Sequence, residues 1–122
     1  MLITVYRIEN HLGNGPYHHV SEELDTNPQY NCMCMEHNNL SKYPNGWADK
    51  ITEYCIQDYH YVFAFGSLDQ LYQWFGPYLN FLLTEFGFSV MMYEVESDTI
   101  KYGKSGKQLV FNRKNVKGVP VC

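Results

Sequence analysis

The stretch from Tyr61 to Phe75 constrains this chain more than any other. Tyr61-Val62-Phe63-Ala64-Phe65 is aromatic and β-branched apart from one alanine, the composition of a buried strand. At Gly66-Ser67 the pattern changes. Leu68, Leu71, Tyr72 and Phe75 recur at helical spacing, and Ser67 with Gln70 forms a capping-box pair that starts a helix. A strand that runs straight into an amphipathic helix needs strand partners on its edges and a layer for the helix to cover. The chain is therefore expected to be α+β.

The flanking sequence supplies those partners. Residues 2–8 are apolar and β-branched apart from Arg7 and stop at Glu9-Asn10, which predicts a strand; Gly13-Asn14-Gly15-Pro16 then forces a turn. From Tyr17 to about Pro44 no period holds, so a long irregular loop over about 10–45 is expected, of the kind that carries function. A short helix is predicted over Trp47–Gln57, with Trp47, Ile51, Tyr54 and Cys55 on one face. Gly76-Pro77 breaks the helix after Ser67, and Pro77 starts another through Glu85 that ends at Gly87. Phe88–Val95 alternates as a strand, and Asp98–Tyr102 and Gln108–Phe111 flank Gly103-Lys104-Ser105-Gly106 as a hairpin. At 122 residues, 45% of them hydrophobic, this is expected to be a single domain over 1–122.

Charge and thiols exclude several classes. Thirteen acids against nine bases give a net charge of −4. Residues 1–60 hold 8 acids and 3 bases, while Lys101, Lys104, Lys107, Arg113, Lys114 and Lys117 stand together without an acid. This basic tail reads as a solvated hairpin, with nucleic-acid contact through Lys101–Lys117 as the lesser alternative at that net charge. No stretch approaches the ~18 apolar residues of a membrane helix, and the start lacks a basic leader with an apolar segment, so the chain is expected to stay in the cytoplasm where it is made. Cys32, Cys34, Cys55 and Cys122 are too few and too irregular for a disulfide framework and read as reduced thiols. Cys32 and Cys34 beside His37 lack a second paired cluster, and the adjacent His18 and His19 point to opposite sides, so no metal site is expected. Gly103–Lys107 lacks the glycine spacing and strand-loop-helix setting of a phosphate loop. Aromatics reach 16%, with 11 Tyr, which suggests clefts or contact surfaces as well as core.

Arg7 late in the first strand, Ser67 directly after a central strand and Gln108 after a glycine turn form a constellation. With Val5-Tyr6-Arg7, Phe65-Gly66-Ser67-Leu68 and Tyr102 to Phe111 around them, they resemble the ADP-ribosyltransferase superfamily of the Arg-Ser-Glu type. The resemblance implies a bent, split antiparallel sheet with two or three short helices, and an NAD cleft lined by Arg7, Ser67 and Gln108. It assigns Arg7 to the pyrophosphate or nicotinamide ribose and Ser67 to the nicotinamide pocket; Tyr17 and His18, just after the glycine turn, are placed to reach into the same cleft, where Tyr17 would stack on a nicotinamide or adenine. Where the family carries its catalytic Glu this chain has Gln108, which supplies no charge opposite an oxocarbenium ion; Glu94 or Glu96 would have to replace it. Each residue also has a structural reading: Arg7 as a salt-bridge partner, Ser67 as a helix cap, Gln108 as a polar strand residue, Tyr17 and His18 as surface packing.

A second resemblance covers most of the length. Arg7, Gly13-Asn14-Gly15-Pro16-Tyr17, Phe65–Phe75 and Tyr93-Glu94-Val95 are similar to segments of small bacteriophage and prophage proteins of unassigned role. That similarity implies action in the host cytoplasm on a host protein, by NAD-dependent modification or, alternatively, as a non-enzymatic inhibitor of a defence system of the anti-CRISPR type.

Overall fold

The computed structural model describes residues 1–17 and 26–121. β1 (Leu2–Glu9) lies against β3 (Ser89–Glu96) over its whole length, from Leu2 opposite Glu96 to Glu9 opposite Ser89, and β6 (Val119–Pro120) adds a short edge to β3. A second sheet has the order β2-β5-β4, formed by β2 (Tyr61–Ala64), β5 (Leu109–Asn112) and β4 (Ile100–Tyr102). The expected hairpin is the pairing of β4 with β5. Every pairing is antiparallel.

The two sheets touch through a single bridge. Tyr6 and Phe65 exchange both backbone hydrogen bonds, at 2.9 and 2.7 Å. The described residues therefore form two small antiparallel sheets, consistent with the α+β class expected from the sequence. Strand alternation explains the two cores: Val5, Tyr93 and Val95 point inward onto Ala64, Ile100, Leu109 and Phe111 of the second sheet, while Ile8 and Val90 point outward to a helical layer. That layer covers only one end of the outer face, so Leu2, Met92, Glu94 and Glu96 remain exposed.

Four α-helices occur among the described residues: α1 (Pro28–Glu36), α2 (Thr52–Gln57), α3 (Leu68–Phe75) and α4 (Leu79–Glu85). The Ser67 hydroxyl accepts the Gln70 N–H at 3.1 Å and so caps α3 as predicted. The buried stripe differs by one position: Trp74 joins Leu71 and Phe75 inside, and Tyr72 faces solvent, 43% exposed. A short 3-10 turn over Gly76–Tyr78 links α3 to α4. Helix α1 lies where an irregular loop was expected. Asn27 caps it by accepting from the Gln29 and Tyr30 N–H groups, with Pro28 in the first turn, but only Tyr30 and Met33 are buried, too narrow a stripe to register as a period. Helix α2 begins later than predicted. Trp47 sits in the preceding turn and is 66% exposed, whereas Ile51 is buried.

Asp49 holds that turn against the β4–β5 hairpin. Its carboxylate is buried and accepts from the Ser105 N–H at 2.8 Å, the Ser105 hydroxyl at 3.0 Å and the Gln108 amide at 2.9 Å. Gly103 passes so close that a Cβ there would lie 2.6 Å from the Asp49 carboxyl carbon. Removing the carboxylate leaves a buried Gln108 amide donor without this acceptor and unties the Ser105 turn from the 45–50 segment. Asp49→Ala is expected to destabilise the protein by about 2–4 kcal/mol in urea unfolding, against about 0.5 kcal/mol or less for Lys104→Ala in the exposed turn.

Candidate functional site

The candidate site grows out of the split. Phe63 lies two residues before Phe65 and so turns its carbonyl to the same side, toward β1, where the strands have parted. The Arg7 guanidinium fills that gap. It donates to the Phe63 carbonyl at 2.8 Å, to the Gly13 carbonyl at 3.0 Å and to the Glu9 carboxylate at 2.8 Å. Glu9 stands two residues along β1 and therefore shares Arg7's face. It also accepts the Tyr93 hydroxyl at 2.6 Å, and Arg113 reaches it at 3.5 Å while donating to the Gly13 carbonyl at 2.8 Å. Burial lowers the Arg7 pKa, partly countered by its bond to Glu9, and burial followed by that same carboxylate pushes Tyr93 up to about 12. Arg7→Met, which takes the nearest cation from buried Glu9 and the side-chain donor from the Phe63 carbonyl, is expected to cost about 3 kcal/mol or more in chemical denaturation.

Beside this network opens a cleft of about 750 Å³. Its lining includes Tyr17, Tyr43, Tyr61, Phe63 and Trp74, with Arg7, Arg113 and Gln108 as polar members. No Asp or Glu stands among the described lining residues. At one end the Trp74 indole donates to the Tyr17 hydroxyl at 2.8 Å, and that hydroxyl in turn hydrogen-bonds Nδ1 of His37. The other ring nitrogen, Nε2, is buried and has no hydrogen-bond partner among the described residues. Tyr43 packs on the imidazole with centroids 4.3 Å apart, and Trp74 and Phe75 stand 6.0 Å away. Burial of its hydroxyl raises the Tyr17 pKa although the ring is half-exposed.

Burial also holds His37 below its ordinary 6.5, against a smaller upward pull from the Trp74 backbone and Glu36. The unfolded chain then takes up this proton at a higher pH than the folded one. Its contribution to stability is complete above about pH 6.5 and is lost as pH falls through the folded value. Glu36 and Asp58, both lowered by hydrogen bonds, add their losses only below about pH 4.5. Thermal midpoints are therefore expected to start falling below about pH 6.5, and His37→Gln, which cannot titrate, is expected to remove that first limb of the curve.

Of the residues singled out in the sequence, Arg7, Gln108 and Tyr17 line this cleft. Gln108 is buried, with its amide donating to Asp49 and to the Pro44 carbonyl. Ser67 is absent from the lining, and its hydroxyl is occupied in capping α3. His18 lies outside the described residues, as do His19 and Cys122. Glu94 and Glu96 project from the outer face of β3, away from the cleft, and Glu96 pairs with the terminal amine at 3.1 Å. Cys34 and Cys55 line the cleft, and burial pushes the Cys55 thiol up. Part of the basic tail is structural: the Lys107 ammonium donates to the Ser41 and Lys42 carbonyls, and Lys101 lies over the Tyr54 ring at 5.7 Å. Sequence reasoning missed Glu9, Tyr93, Arg113 and Trp74. Only Glu9 carried a local signal, its two-residue spacing from Arg7.

Fold and cleft together define a small α+β protein built on a split antiparallel sheet, with an aromatic, arginine-floored recess at the split. No described helix is long and apolar enough to cross a membrane. The family model described as Bacteriophage T4 Y00F protein matches residues 1–121, and the chain belongs to that family. No curated protein and no solved structure matches it. The expected phage origin is thus supported, whereas these comparisons do not show a likeness to ADP-ribosyltransferases.

Proposed function

We propose that this phage-family protein acts by binding a host protein and does not itself transfer a group. The observation that carries the reading is the state of the candidate catalytic side chains. Arg7 is held by Glu9, Phe63 and Gly13, Gln108 by Asp49 and Pro44, and no carboxylate lines the cleft among the described residues. Ribosyl transfer from NAD develops positive charge on the sugar, and a site without a facing carboxylate offers it no electrostatic stabilisation. Binding needs none. Large apolar side chains stand exposed in one segment, Trp47 at 66%, Ile56 at 67% and Tyr59 at 82%, which suits a partner surface.

NAD-dependent ADP-ribosyl transfer is the second reading. One observation favours it: Arg7 from β1 and Gln108 from the start of β5 face one cleft across the split. Incubation with labelled NAD and host lysate separates the two. Host protein left unlabelled, with one host protein captured at fixed stoichiometry, supports binding; Trp47→Ala with Ile56→Ala is expected to weaken that capture about tenfold or more at unchanged circular dichroism. A host protein that acquires label only in the presence of this chain overturns the binding reading in favour of the transferase.

A further inference from the structure

We infer that the cleft binds a mononucleotide-sized planar molecule whose phosphate sits on Arg113. This goes beyond the host-directed reading and stands on the cleft alone. Charge supplies the first argument. Arg7 and Arg113 converge on one carboxylate, Glu9, and on one carbonyl, Gly13, which leaves a surplus positive charge at the cleft floor. The surplus sits on Arg113. Arg7 uses Nε, Nη1 and Nη2, whereas Arg113 engages only Nη1, and its Nε and Nη2 have no hydrogen-bond partner among the described residues. Its side chain is 29% exposed and lines the cleft, so a forked pair of donors is available to an oxyanion.

The absence of acid from the described lining is the second argument. In a chain of net charge −4, two arginines against the one carboxylate of Glu9, with no Asp or Glu among the described lining residues, leave this recess a positive charge for an anion to meet by contact. Gly13 keeps that floor open: at φ +81° it presents no side chain, and a Cβ there would lie 3.1 Å from Nη1 of Arg113.

Shape supplies the third. A volume of about 750 Å³ far exceeds a free phosphate and falls in the ordinary range for organic ligands. Tyr59, Tyr61 and Trp74 line the same cleft as Arg113. Aromatic faces next to a guanidinium suit a base stacked beside its phosphate.

The test titrates AMP and UMP into the purified chain, with adenosine and inorganic phosphate as partial ligands. Saturable nucleotide binding is expected, weaker by about tenfold or more for either partial ligand, and weaker by a similar factor in Arg113→Gln. Arg113→Lys is expected to recover part of the loss. Should Arg113→Gln fail to fold, amide shifts of the natural protein decide: movement at Gly13, Tyr61 and Arg113 supports the site, and movement confined elsewhere overturns it. Failure of both nucleotides to bind, adenosine binding as well as AMP, or a folded Arg113→Gln that binds AMP normally also overturns it. None of these results touches the host-directed reading, which host-protein capture and NAD labelling test separately.

Discussion

The buried guanidinium of Arg7 is the contact on which the rest of the architecture depends. Two three-stranded sheets that share one bridge would leave backbone carbonyls facing an open gap, and an unpaired buried carbonyl costs about 1–3 kcal/mol. Arg7 closes the gap with a side chain, donating to Phe63 across the split and to Gly13 in the following turn. Burying that charge requires a counter-charge, and Glu9 provides it from the same strand face. The pair then fixes the turn after β1, draws in Tyr93 and Arg113, and sets one wall of the cleft.

Function follows from what this arrangement leaves free. Arg7 and Gln108 are committed to holding the structure around the split together, Arg7 to Glu9, Phe63 and Gly13 and Gln108 to Asp49 and Pro44. What remains accessible is aromatic surface and the unshared donors of Arg113, which are means of recognition. The same logic applies at the other end of the cleft, where Trp74, Tyr17 and His37 are linked by hydrogen bonds that hold the wall in place. Asp49 and Gln108 clamp the turn before α2 to the hairpin in the same way.

Much of the fold was legible in the chain because its signals are local. The switch from strand to helix at Gly66-Ser67, the break at Gly76-Pro77 and the glycine turn before Gln108 each act within a few residues, and each sits where the sequence places it. Helix α1 was hidden because a cap and a proline start it while just Tyr30 and Met33 bury it. Trp47 and Tyr72, placed by spacing on the same faces as Ile51 and Leu71, are exposed because helical spacing marks a face without saying whether another layer covers it.

The sequence by itself determined the α+β class, the strand that begins the chain, the cap of α3 and the presence of Arg7 and Gln108 at strand ends, since each depends on neighbours along the backbone. Only the tertiary structure decided that Ser67 stays outside the cleft, that Glu9 must answer for both Arg7 and Arg113, and that Asp49 holds Gln108. Those contacts join residues as far apart as 104 positions, and such pairings are set by how the two sheets meet, which no local pattern encodes.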